Sequence, residues 1–362
     1  MNKIDSLHPD RLFPSDPATR EIARRLYARV RDLPIVSPHG HTDPSWFALN
    51  DAFPNAVDLL LIPDHYLVRM LYSQGLSMES LGVPTADGTE VESDMRKIWR
   101  TFAQHYYLFR GTPSRSWLDH VFYEVFGLGQ SLTPDNADEL FDAINESLQQ
   151  DDFRPRALFD RFNIEVLATT ESPLDSLEHH EAIRESDWDG RVITTYRPDP
   201  VVDPEFEHFA ANVAHFGESA GEDVSSYSGY LSAHRAHRAA FRAMGATATD
   251  HGHPTAATAD LDPATCEDLY LKALEGRCMP REAELFRAQM LTEMAGMSVD
   301  DGMVMQLHPG SYRNHNPWLF ERFGRDKGAD IPQRTEYVSA LKPLLDRYGN
   351  EPGFTFILFT LD

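Results

Sequence analysis

The alternation of apolar and polar positions divides the chain into a helical first half and an alternating second half. Residues 17–32, PATREIARRLYARVRD, carry Ile22, Leu26, Tyr27 and Val30 at helical spacing, which predicts a helix ahead of the first strand. The apolar pair Ile35 and Val36 then reads as a strand that stops at Ser37 and Pro38. From about 45 to 160 no strand pattern is convincing. Helices are predicted near 55–75, 91–110, 115–127 and 134–150, the last opened by Thr133-Pro134. Aromatics crowd this stretch (Trp99, Phe102, Tyr106, Tyr107, Phe109, Trp117, Phe122, Tyr123, Phe126), as a helical subdomain with its own core requires.

From 155 onward the texture changes. Strands are predicted at 164–170 (IEVLATT), 191–198 (RVITTYRP), 246–253 (ATATDHGH, a weaker pattern), 303–308 (MVMQLH) and 354–360 (FTFILFT). Helices fall between them, among them 280–296 and 333–348. Short, continuously apolar strands alternating with helices are what a parallel sheet buried on both faces needs. The fold class is therefore α/β. A (β/α)8 TIM-type barrel closes only with eight strands, and two residues follow the sixth. The expectation is a barrel incomplete at the C-terminus, with about six strands, rather than an open sheet. Its parts are an N-terminal helix and first strand (1–44), a helical insertion (45–160) and the remaining strands (161–362).

Composition narrows the function classes. Thirty-three basic residues stand against 57 acidic ones, a net charge of −24, which excludes a nucleic-acid partner because phosphate binding needs a basic footprint. An anionic small molecule remains open to a few local cations. No run reaches the ~18 apolar residues of a membrane span, and the N-terminus lacks the apolar core of a secretory signal. Cys266 and Cys278 are the only cysteines, so there is no disulfide framework, and a cytoplasmic setting is expected.

The chemistry lies at the strand ends. His39 and His41 follow the first strand, and residues two apart on an extended chain project to one side, so both imidazoles can reach one cation. An HxH pair is common by chance. Its placement at a C-terminal strand tip, where barrel enzymes keep their active sites, is what gives it weight. The other tips are polar too: Thr169-Thr170-Glu171, Tyr196-Arg197-Pro198-Asp199, Asp250-His251-Gly252-His253 and His308. A third imidazole, His308, beside the first two makes a borderline-soft cradle for one divalent metal, Zn or Mn ahead of Ca. His179, His180, His234, His237 and His315 read as surface or structural histidines.

HxH after the first strand and a His after the fifth resemble the amidohydrolase superfamily. The strings PDHYLVRMLYSQG, LATTESPLDSLEHHEAI, TYRPDP, TDHGHP, LHPGSYRNHNP and FTFILFTLD, in order from about residue 20, are similar to uronate (glucuronate) isomerase. The resemblance implies an aldose–ketose isomerase that interconverts D-glucuronate with D-fructuronate and D-galacturonate with D-tagaturonate. By it, His39 and His41 match the metal pair, and His308 matches a histidine beside metal and substrate. His65 and Tyr66 match residues that reach the substrate, Arg197 and Arg313 match substrate-binding arginines, and Asp250 matches the acid after the fourth strand. Tyr66, His308 and Asp250 are then the catalytic candidates. The family's Asp after strand eight, the arginine beside it and the tryptophan after strand six have no counterpart in the 362 residues, and Glu171 stands where an Asp is usual.

The residue types suit that chemistry on their own account. Moving a carbonyl from C1 to C2 through a cis-enediol needs a base, a group that stabilises the enediolate and a clamp for the C6 carboxylate. Arg197 offers a bidentate fork for a carboxylate and Tyr66 a phenolic proton. Two other readings stand beside it: a metal-dependent amidohydrolase or lactonase using the same cradle, and a non-catalytic sugar-acid-binding fragment. The aromatic insertion and an unclosed sheet edge favour a homo-oligomer.

Overall fold

The structure, a computed structural model, describes residues 7–360. Eight strands are present among the described residues: β1 (Ile35–Ser37), β2 (Ile164–Ala168), β3 (Val192–Ile193), β4 (Ala248–His251), β5 (Val304–Leu307), β6 (Ser311–Tyr312), β7 (Ile331–Pro332) and β8 (Phe356–Leu358). All six strands read from the pattern occur, and all but β1 are shorter than the ranges read from it. Two compact units share the chain. One gathers Met1–Ile35, Asn50–Asn163 and Arg313–Asp330; the other gathers Val36–Leu49, Ile164–Tyr312 and Ile331–Asp362.

The second unit carries the sheets. Two three-stranded ladders run in the orders β1-β2-β3 and β4-β5-β8. β2 pairs with β3 in parallel, and β4, β5 and β8 pair in parallel with Asp250 opposite Gln306. Tyr196 links the ladders by single parallel bridges to Glu171 and Thr249. Its N–H donates to the Ala248 carbonyl (3.2 Å) and its carbonyl accepts from Asp250 N–H (2.9 Å). The strands therefore follow one another in chain order and bring the C-terminal tips of β2, β3, β4, β5 and β8 to one end. The sheets are small, and no closed barrel forms among the described residues. The core behind them is aromatic and Met-rich, with Tyr196, Phe216, Tyr230, Phe241, Tyr270, Phe286, Met290 and Met305 all buried. Arg238 is buried within it, held by Asp301 (2.7 Å) and Ser298 (3.0 Å), which meets the cost of burying its charge.

Two expectations about the strands and the helices between them are corrected, and one strand pair is added. Not every strand is buried on both faces: Ile35 and Val36 on β1, and Ile357 and Leu358 on β8, are exposed, because each of these strands has a neighbour on one side only. The helix expected at 333–348 spans Lys342–Tyr348. Upstream, the Glu336 carboxylate accepts from the N–H groups of Val338, Ser339 and Ala340, a local turn that competes with helix. β6 and β7 form an antiparallel pair that the sequence pattern does not announce. Two residues per strand are too few to show a period.

The first unit is helical between 50 and 163. Trp99, Phe102, Tyr106, Phe109 and Phe122 are buried, while Tyr107 and Trp117 are exposed. The Trp99 indole N–H donates to the Ala137 carbonyl (2.9 Å), so this large ring is buried without an unmet donor. The helix expected over 55–75 is two, Ala56–Leu60 and His65–Ser73, broken at Pro63. Asp64 caps the second, accepting from Tyr66 N–H (2.9 Å) and Leu67 N–H (3.1 Å).

Candidate metal and catalytic site

The strand tips of the second unit gather His39, Arg197, Asp250 and His308. Pro38 and Gly40 shape the exit of β1. A Cβ on Gly40 would lie 3.0 Å from the Ala168 carbonyl oxygen, and the Thr170 hydroxyl donates to the Gly40 carbonyl (2.7 Å), so the His39–His41 turn lies close against the end of β2. Asp250 belongs to β4 itself and is fully buried. His308 follows β5 directly, its N–H donating to the His251 carbonyl (3.1 Å).

Asp250 is the centre of the cluster. Its Oδ2 accepts from His308 Nε2 (3.0 Å) and lies 3.5 Å from Arg197 Nη1. Its Oδ1 lies 3.5 Å from His39 Nδ1 and is buried without a hydrogen-bond partner. Burial works to raise its pKa, but the His308 hydrogen bond and the nearby His308, Arg197 and His39 outweigh that, and the carboxyl is held below its ordinary value. His39 Nδ1 also lies 3.4 Å from the amide oxygen of Gln306, a polar side chain buried in β5. The His39 ring meets His41 at 5.2 Å, His308 at 5.6 Å and Phe359 at 5.4 Å between centroids. Desolvation, then Arg197 and His39, pulls the pKa of His41 down, so it is the neutral, ligand-competent imidazole that is favoured.

Ligand atoms from His39, Asp250 and His308 lie within 4.8 Å of one another, the one such group of three or more among the described residues. The donor set fits a divalent ion: two imidazoles, one ionised carboxylate, and a buried carboxylate oxygen that no protein donor satisfies. Asp250 stands in this group where the sequence put His41.

Arg197 is held from two sides. Its Nε donates to Asp199 Oδ2 (2.9 Å), and the Asp199 carboxylate also accepts from Gly252 N–H (3.1 and 3.2 Å). Beside it, burial raises the Glu171 carboxyl to about 7, against hydrogen bonds from Thr194 and Thr169 that lower it. His180, 3.6 Å from Glu171 Oε2, is pushed down to about 4 by burial. Gln306 and the Asp199–Gly252 pairing were not read from the sequence. A Gln inside the apolar run MVMQLH was the available signal for the first.

His65, Tyr66 and Arg313 belong to the other unit. His65 and Tyr66 open the Asp64-capped helix, with Tyr66 55% exposed and the Arg69 guanidinium 4.9 Å over its ring. Arg313 Nη1 lies 3.4 Å from Asp326 and 3.8 Å from Asp330. A Cβ on Gly328 would meet the His65 carbonyl at 2.6 Å, so the 313–330 segment lies against the start of this helix.

Parallel strands whose C-terminal tips assemble an arginine and a His–Asp–His cluster with the donor set of a divalent-ion site define the class as an α/β protein with a candidate metal centre. Comparison with known proteins makes this particular. The model of one family, described as glucuronate isomerase, matches residues 17–362. A uronate isomerase from Phenylobacterium zucineum (strain HLK1) is 65% identical over 362 residues, covering 100% of this chain and 75% of its own. One from Xanthomonas euvesicatoria pv. vesicatoria (strain 85-10) is 64% identical over 361 residues, covering 100% and 76%. The crystal structure of glucuronate isomerase from Caulobacter crescentus superposes with a TM-score of 0.95 at 63% identity, over 98% of this chain and 74% of that one. The chain belongs to the glucuronate isomerase family. It is therefore an isomerase, and the readings as a hydrolase or a non-catalytic binder are not favoured.

Proposed function

We propose that the protein interconverts D-glucuronate with D-fructuronate, and D-galacturonate with D-tagaturonate, by proton transfer through a cis-enediol. The observation that carries the site assignment is the buried Asp250, shared between His39, His308 and Arg197. A divalent ion, Zn ahead of Mn, would be held by His39, Asp250 and His308 with His41 alongside. When bound it supplies Lewis-acid polarisation of the substrate oxygens at C1 and C2.

The remaining steps fall to side chains. Arg197 clamps the C6 carboxylate, and the family resemblance assigns His65, Tyr66 and Arg313 to the substrate as well. The C2 proton leaves to the Asp250 carboxylate, which the 3.0 Å hydrogen bond from His308 Nε2 orients. It exchanges with solvent there, and a proton is delivered from the same carboxyl to C1. Tyr66 donates a proton to the C1 oxygen as the enediol forms, and the C2 hydroxyl returns one to the Tyr66 phenolate as the ketone appears, so the sum is an isomerisation.

Family membership and the chain-order strands support a (β/α)8 barrel of the amidohydrolase kind, with 45–160 as its helical insertion. Two free cysteines suit a cytoplasmic setting, and the exposed apolar side chains of β1 and β8 suit self-association. Among the described residues no helix is long and apolar enough to cross a membrane. The test is isomerisation of D-glucuronate in D2O. Fructuronate carrying solvent deuterium at C1 is expected. Complete retention of the C2 hydrogen over many turnovers would overturn the enediol route.

A further inference from the structure

Arg197 is more constrained than an arginine that simply waits for an anion. An unheld guanidinium at a strand tip samples several rotamers, and fixing it on binding costs entropy that weakens the clamp. Here the side chain is tethered before any substrate arrives. Asp199, two residues on, accepts from Nε at 2.9 Å. Asp199 is itself fixed from just past the end of β4, where Gly252 N–H donates to both of its carboxylate oxygens. Gly252 makes this possible by having no side chain. A Cβ there would lie 2.6 Å from Arg197 Nη2, 2.6 Å from Asp199 Oδ2 and 3.1 Å from His308 Cε1. Three side chains of the site thus converge on the volume that a methyl group would fill.

We propose that Asp199 is the positioning residue for Arg197, holding the guanidinium by Nε so that Nη1 stays turned toward Asp250 and the substrate carboxylate. The inference rests on the reading of Arg197 as that clamp. Asp199 touches neither substrate nor reacting atoms; it acts through the fork. Holding an arginine at Nε leaves its orientation set by a bond on the edge away from Nη1, which a lysine, with one nitrogen, cannot reproduce.

A double-mutant cycle tests it, reading kcat/KM for D-glucuronate together with thermal midpoint and metal content. Arg197→Lys is expected to lower kcat/KM about 10–100-fold, the worth of a charge-assisted hydrogen bond. Asp199→Ala is expected to lower it about as much, while Asp199→Asn, which keeps an acceptor oxygen, loses less than about tenfold. In the Arg197→Lys background, Asp199→Ala should cost less than about threefold more. Full additivity of the two losses, with midpoint and metal content unchanged, overturns the positioning role while leaving the clamp in place. Parental turnover by Arg197→Lys instead overturns the clamp itself. If Asp199→Ala fails to fold, the cycle is run with Asp199→Asn, where coupling to Arg197 supports the inference and additivity defeats it.

Discussion

Burying a carboxylate costs several kcal/mol unless its lone pairs are met, and the two buried acids near the site answer that requirement differently. Asp250 stays ionised, drawn down by His308 and Arg197 against the pull of burial. Glu171 has hydroxyl donors and no cation at hand, and burial lifts it to about 7 from 4.5. Between those two values the folded protein holds a proton that the unfolded chain releases, so stability falls as pH rises through that window and levels off above it. The gap corresponds to roughly 3 kcal/mol. His180 works in the opposite sense: held down to about 4 from 6.5, it makes stability rise with pH over that range. Glu171→Gln is neutral throughout and removes only the falling part. Urea unfolding at pH 5, 6, 7 and 8 should show the variant gaining on the parent by up to roughly 3 kcal/mol as pH rises. A difference that does not change with pH would mean that Glu171 ionises normally.

At the scale of elements, the site depends on how closely neighbouring strand tips approach, and Gly252 is where that approach is tightest. Gly252→Ala puts a methyl group against the ends of three side chains rather than against backbone. Side-chain ends can yield, so the fold should survive with a thermal midpoint close to the parent's. The Arg197 fork cannot yield without leaving its aim, and kcat/KM for D-glucuronate should fall at least about tenfold, as misplacement by an ångström does. Parental activity would mean that the tips are looser than they look. This is also where the sequence reading reached its limit. The polar tips were legible because His39, Arg197, Asp250 and His308 each end or follow a run whose apolar pattern marks a strand. The Asp199 pairing was not, since Arg-x-Asp is an ordinary spacing and its meaning comes from a backbone N–H 53 positions away, just past the end of another strand. Exposure of Ile35 and Ile357 was likewise invisible: an apolar run says that a residue can be buried, and only the strand order says whether a neighbour buries it.

For the whole molecule, the His39–Asp250–His308 cluster ties the tips of β1, β4 and β5 to one another, so a bound cation should stabilise the fold as well as serve the chemistry. Any ligand that binds the folded state alone adds RT ln(1 + [L]/Kd), about 2.7 kcal/mol at a hundredfold excess over Kd. The net charge of −24 works in the same direction, drawing cations toward the protein. Titration with Zn should therefore raise the thermal midpoint by about 3–5 °C, in proportion to the logarithm of free metal. The His39→Ala/His41→Ala double variant should lose both the shift and stoichiometric metal in elemental analysis. The single variants then separate two arrangements of donors. Sequence pairs His39 with His41, whereas the structure sets Asp250 beside His39 and His308. On the structural arrangement, His39→Ala and Asp250→Asn each abolish the shift, and His41→Ala only weakens it. Loss of the shift in His41→Ala, with Asp250→Asn still responding to Zn, would instead place the ion between the two histidines of the first strand.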